Sequence, residues 1–155
     1  MRGTIRAATN ADAPRIRQIV FAVLAEYGLR PDPDGCDKDM EDIEGSYLAG
    51  GGLFEVVETE NGDLVGTVGL APMEGGVCEL RKMYLVPEAR GHGWGKRLLE
   101  RALDHAQRGS FRQVTLETAS CLVEAIALYT RYGFRPVAAE HRASRCDQAF
   151  ALDLP

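Results

Sequence analysis

The stretch Pro87–Leu103, PEARGHGWGKRLLERAL, decides the fold. It follows VCELRKMYLV (Val77–Val86), which reads as a β-strand stopped by a proline. It leads into Trp94, Leu98, Leu99, Ala102, Leu103 and Ala106, spaced as the apolar stripe of a long helix that Gly109 closes. Gly91, Gly93 and Gly95 lie at alternate positions between the two. At such a junction several backbone N–H groups are unpaired and point the same way, with the positive end of the helix dipole behind them. Lacking Cβ atoms, glycines let the backbone approach an anion closely and adopt φ > 0 where needed. Arg90 and Lys96 can add charge. The stretch is suited to holding phosphate oxygens.

Spacing separates the phosphate binders. A P-loop needs G-x-x-x-x-G-K-[ST]; Gly91 to Gly95 is one residue short, and Lys96 is followed by Arg97 rather than a hydroxyl for magnesium. A dinucleotide fingerprint needs G-x-G-x-x-G early in a βαβ unit, whereas this G-x-G-x-G stands in mid-chain. On this stretch alone, a glycine turn that merely lets strand and helix pack also stays open.

Outward from the loop, the other elements fall into order. TIRAA (Thr4–Ala8) reads as a first strand. Ile16, Ile19, Val20, Val23 and Leu24 mark a helix, with Asn10 as its cap and Pro14 in its first turn. LRPDPDGCD is a loop leading to a second, weaker helix over Asp39–Leu48. LFEVVET and LVGTVGLAPM flank Asn61-Gly62, a strong hairpin signal. Beyond the loop helix come a strand (FRQVTLETA), a helix apolar on nearly every side (Leu122–Tyr132) capped by Gly133, and two last strands in FRPVAA and RCDQAFALDL. The order is strand, two helices, three strands, helix, strand, helix, two strands. It describes an α/β domain with a mixed sheet.

The chain has 155 residues, 45% hydrophobic and 26% charged, which suits one soluble globular domain over residues 1–155. Its apolar runs fall short of the ~20 residues of a membrane helix, and MRGTIRAATN has no signal-peptide core. No membrane partner and a cytoplasmic location are therefore expected. Cys36, Cys78, Cys121 and Cys146 show neither a C-x-x-C pair nor zinc spacing, so free thiols and no metal are expected. A net charge of −5 disfavours nucleic acid as a partner.

Two motifs together carry a family resemblance. Arg90-Gly91-His92-Gly93-Trp94-Gly95 resembles the Q/R-x-x-G-x-G/A motif of the GNAT superfamily, the GCN5-related N-acetyltransferases, and stands where that family has it, between a long strand and a long helix. AIALYTRYGF (Ala125–Phe134) resembles the family's A-x-x-L-Y-x-x-x-G-F signature at the usual separation. The resemblance implies an α+β fold: a mainly antiparallel sheet of about six or seven strands flanked by about four helices.

It also implies acetyl-CoA as cosubstrate and direct acetyl transfer to an amine. Main-chain N–H groups of Gly91 to Lys96, including His92, Gly93, Trp94 and Gly95, would hold the pyrophosphate; Tyr84, Leu85 and Val86 would line the pantetheine arm; Arg90 fills the Q/R position. Tyr129 matches the tyrosine near the CoA sulfur, where a phenol can protonate the departing thiolate. An alkylammonium has pKa near ~10.4, so a base must take its proton. Glu79 resembles the strand glutamate some members use, often through water, with Glu117 in reserve. On an unbulged strand Glu79 would share a face with Arg81, Met83 and Leu85, and an ion pair with Arg81 or Lys82 would be its plainer role. Where many members carry an Asn contact to the arm this chain has Leu122, and Ser120 is the candidate substitute. An acyl-cysteine through Cys78 or Cys121 is not needed.

The acceptor site would be built from about residues 21–42 and 142–148. The acidic LRPDPDGCDKDMED suits a cationic amine; Arg30, Arg142 and Arg145 could hold a carboxylate. A small amine such as an amino acid or polyamine fits, with a protein N-terminus or lysine, or a non-catalytic acetyl-CoA sensor, as alternatives. A homodimer stays open.

Overall fold

The computed structural model describes residues 1–138 and 144–155. One seven-stranded sheet runs in the order β1-β2-β3-β4-β5-β7-β6. Its strands are β1 (Gly3–Ala7), β2 (Leu53–Thr59), β3 (Leu64–Pro72), β4 (Val77–Leu85), β5 (Gln113–Thr118), β6 (Arg135–Val137) and β7 (Gln148–Asp153). Every pairing is antiparallel except β4 with β5. The expected hairpin joins β2 to β3: Gly62 turns with φ +84° and donates its N–H to the Thr59 carbonyl.

Among the described residues three α-helices, α1 (Ala13–Glu26), α2 (Trp94–Arg108) and α3 (Val123–Arg131), cover the sheet. Ile16, Ile19, Val20 and Leu24 of α1 pack with Met40, Ile43, Tyr47 and Phe54 in one buried cluster. Leu98, Leu99 and Ala102 of α2 pack with Tyr129 of α3, Leu80 and Leu116 in the other. No helix among the described residues is long and apolar enough to cross a membrane.

Two local expectations are corrected. Asn10 does not cap α1: a short 3-10 turn, Asn10–Asp12, precedes the helix, and Asp12 accepts the Thr9 N–H at 2.9 Å. Asn10 instead binds Asp42 and the Glu44 backbone, tying the start of α1 to the following loop. The segment expected as a second helix forms a 3-10 turn, Lys38–Glu41, and a π-helical turn, Glu44–Leu48. Asp42 separates them with non-helical backbone (φ −139°, ψ 83°), its carboxylate accepting the Gly45 N–H at 2.9 Å. A short acidic side chain competing for backbone donors breaks the continuous helix.

A bulge sets the geometry of β4. Gly69 faces Arg81 but Thr67 faces Tyr84, so Val68 alone lies opposite Lys82 and Met83. Lys82 takes φ +54°. The parity expected for an unbulged strand is thereby overturned: Glu79, Arg81 and Tyr84 share one face. Beyond the bulge Met83 and Leu85 pack with Leu80 on the other.

Candidate active site

β4 and β5 are paired only from Val77 and Gln113 as far as Leu80 and Leu116, yet β4 continues to Leu85 and β5 to Thr118. The strands splay, and two clefts meet at the opening, with Met83, Tyr84, Leu122 and Ala125 in the walls of both.

The first cleft, about 650 Å³, lies over the glycine loop. Gly91 (φ +77°) and Gly93 (φ +83°) require left-handed backbone, and a Cβ on either would meet nothing within 4 Å. The backbone there faces open space at the start of α2, as an anion cradle needs. Tyr84, Leu85, Arg90, Gly95 and Lys96 line the same cleft. The Arg90 side chain is engaged elsewhere: it donates to the Leu85 carbonyl at 2.9 and 3.1 Å and forms a two-pronged ion pair with Glu26 at 2.6 and 2.8 Å. It braces the loop against β4 and α1.

Other loop side chains turn away. His92 and Trp94 border a groove on the β1 side with Arg2 and Glu58. Trp94 is buried, with Arg97 over its ring at 4.5 Å. Val86 packs between the two core clusters and gives its N–H to Val65 at 3.0 Å. Ser120 is not in the wall of either cleft; its N–H and hydroxyl both bind Asp147, at 2.8 and 2.7 Å.

The second cavity, about 770 Å³, brings Glu79, Glu117 and Tyr129 together. The YGF of the second motif explains the placing of Tyr129. Gly133, at φ +95°, ends α3; its N–H bonds the Thr130 carbonyl and the Phe134 N–H bonds the Tyr129 carbonyl, the two bonds of a Schellman cap. The cap also brings Phe134 against the Tyr129 ring at 5.7 Å. Burial raises the Tyr129 pKa well above the ordinary phenol range, with Tyr84 adding to the rise, so the group is a neutral donor. Glu79 is paired with Arg81 at 2.5 Å. Cys78 is buried, its thiol pushed up to about 11 by desolvation, which disfavours it as a nucleophile.

Sequence reasoning missed the charged floor of this cavity. Lys82 Nζ lies 3.2 Å from Asp37 and 3.3 Å from both Asp39 oxygens, only Oδ2 being aligned as acceptor, and donates to the Cys36 carbonyl at 3.1 Å. Asp37 also takes both guanidinium nitrogens of Arg145, at 2.7 and 2.8 Å. A signal existed: lysine in the middle of a buried strand is rarely tolerated unless paired, and an acidic loop lay upstream. Arg142 lies outside the described residues. Among the described residues no cluster suits a metal ion.

The splayed β4–β5 fork beside a glycine-rich helix start thus opens two clefts that meet at Met83 and Tyr84. The family model of the acetyltransferase (GNAT) family matches residues 18–134, and the chain belongs to that family of acyltransferases. It is 38% identical over 138 residues to the uncharacterized N-acetyltransferase YjgM of Escherichia coli (strain K12), covering 86% of this chain and 82% of that one. A GNAT-family acetyltransferase of Staphylococcus aureus Mu50 superposes with TM-score 0.93 at 21% identity, covering 99% of both chains. YncA of Salmonella typhimurium, a putative acetyltransferase solved with its cofactor acetyl-CoA, superposes with TM-score 0.73 at 26% identity over all of this chain and 95% of that one.

Proposed function

We propose that residues 1–155 form one catalytic domain that transfers the acetyl group of acetyl-CoA directly to a primary amine of a small molecule. The observation that carries this reading is the meeting of the two clefts at Met83 and Tyr84, with the glycine loop on one side and Glu79 and Tyr129 on the other. Acetyl-CoA supplies an activated acyl group on a thiol leaving group. The open backbone at Gly91 and Gly93 suits its pyrophosphate, and the unpaired end of β4 suits its arm.

Tyr129, held neutral by burial, donates its hydroxyl proton or a hydrogen bond to the departing sulfur. Glu79 accepts the amine proton, directly or through water, with Arg81 orienting its carboxylate; Glu117 is the reserve base. Ser120 is committed to Asp147 and adds little to the arm contact. Of the acceptors considered, a cationic amine such as a polyamine fits better than an amino acid: Arg145 is already bound to Asp37 and Lys82 to Asp37 and Asp39, which leaves no described buried cation for a carboxylate.

The test is thermal shift with acetyl-CoA, followed by a free-thiol assay over diamines, polyamines, amino acids and a lysine peptide. A stabilising shift and thiol release with amines, diamines foremost, are expected. No shift at millimolar acetyl-CoA would sink the reading, and a shift with no turnover on any amine would favour a sensor.

A further inference from the structure

Lys82 is one of two described non-glycine residues with positive φ, and it sits inside a β-strand. L-residues disfavour that conformation, and it persists only where the surroundings fix it. Here both ends of the residue are held. Its carbonyl accepts the Thr67 hydroxyl at 2.6 Å within the sheet. Its ammonium, with a side chain 5% exposed, reaches the other way into the loop after α1, to Cys36, Asp37 and Asp39.

That loop is held in place through side chains. Between Leu29 and Asp37 it has turns but no strand or α-helix. Asp37, fully buried, gathers the Lys82 ammonium, the Arg145 guanidinium and the Asp32 N–H at 2.8 Å; Asp39 accepts the Tyr47 hydroxyl. The loop contributes Asp32, Cys36 and Asp39 to the acceptor cavity, while the residues just after Lys82, Met83 and Tyr84, form the wall shared with the donor cleft. One ammonium thus spans the acceptor wall and the junction.

We infer that Lys82 is a positioning residue for acyl transfer: its ammonium holds the acceptor loop, through Asp37 and Asp39, against the β4 bulge beside the shared wall. The inference rests on the acetyltransferase reading. Loss of the tether lets the amine-binding wall shift relative to the junction, while the glycine loop after β4, which supplies the open backbone of the donor cleft, is left intact.

The experiment compares Lys82→Met, Lys82→Arg and Asp39→Asn with the wild type, on the best amine of the panel, together with acetyl-CoA affinity and thermal stability. A displacement of about 1 Å at a reacting centre costs on the order of 100-fold. Lys82→Met is accordingly expected to lower kcat/KM by about 100-fold, with a rise in KM for the amine and acetyl-CoA Kd within about two-fold of wild type. Lys82→Arg, which restores the charge, should recover most of the loss. The double variant Lys82→Met/Asp39→Asn should lose little beyond Lys82→Met, because both remove one link.

Variants that melt lower yet keep amine KM and kcat within about three-fold would reduce Lys82 to a structural residue and overturn the inference. A parallel weakening of acetyl-CoA would overturn it too. Should Lys82→Met not fold, Lys82→Gln, which keeps a polar end at the site but removes the charge that holds Asp37 and Asp39, decides: an unchanged KM for the amine overturns the inference and a raised one supports it. Wild type that neither binds acetyl-CoA nor acetylates any amine overturns the transferase reading, and this one with it.

Discussion

The two clefts that meet at Met83 and Tyr84 are built from different materials. In the proposed donor cleft the anion cradle is open backbone at Gly91 and Gly93, drawn from one short stretch after β4, and the Arg90 side chain beside it is turned to bracing the loop. The acceptor side is side chains, gathered from β4, β5, α3 and two loops far apart in the chain, with Asp37 and Arg145 paired across 108 positions. A wall of main-chain donors tolerates most side chains but not the loss of a glycine. A wall of paired charges behaves the opposite way: removing one charged side chain leaves its partner buried and unpaired.

The largest expected effect tests the first half of that contrast. Gly93→Glu puts a side chain at φ +83° and a carboxylate where an anion is to bind. Acetyl-CoA binding should disappear, read as loss of its thermal shift, while His92→Ala, whose side chain borders the far groove, should leave the shift unchanged. Equal damage from both would mean that the loop reads its ligand through side chains after all.

Next in size, Tyr129→Phe separates chemistry from binding at the junction. It keeps the ring against Phe134 and the Schellman cap that places it, removing only the hydroxyl. Loss of a positioned proton donor costs on the order of 100-fold, so kcat should fall by about that much while acetyl-CoA Kd stays within about two-fold. A loss of affinity matching the loss of rate would make Tyr129 part of the binding wall instead.

The same contrast explains what could be read before the structure. Features confined to one stretch of chain were legible: the Asn61-Gly62 hairpin, the glycines before α2, and the YGF whose glycine and phenylalanine close the cap on α3. Those elements follow from local backbone chemistry, and local chemistry is written in sequence. The β4 bulge was not legible, because one extra residue reverses the parity of a strand without altering its composition. That reversal put Tyr84, rather than Met83 and Leu85, on the face of Glu79. The Lys82–Asp37–Arg145 cluster was hidden for another reason: its members are 45 and 108 positions apart, and charges in loops read as solvated until folding brings them together. The turn at Asp42 was lost to a competition between one carboxylate and the helix for backbone donors.

The smallest effect concerns the second half of the contrast, and it is read in acid. Burial alone would push the Asp37 carboxyl up, but the Arg145 guanidinium, the Asp32 N–H and the Lys82 ammonium outweigh it and hold the group at about 2. An unfolded aspartate titrates near ~3.9, so the unfolded chain takes up the proton first. The folded-state pKa is the lower of the two, and the stability it brings is complete above about pH 4 and is lost as pH falls through about 2. The full difference corresponds to about 2.6 kcal/mol, of which about 2 kcal/mol is lost by pH 2.5. Asp37→Asn strands Arg145 and Lys82 and should be less stable than wild type near neutrality; its unfolding free energy should then fall less steeply in acid, by about that 2 kcal/mol, in urea titrations between pH 6 and pH 2.5. Other acids held low in the fold, such as Asp12 and Asp42, titrate in both proteins and cancel in the comparison. Parallel acid limbs would show that Asp37 is not held in its charged form by Arg145 and Lys82, and the acceptor wall would lose its distinction from the backbone wall beside it.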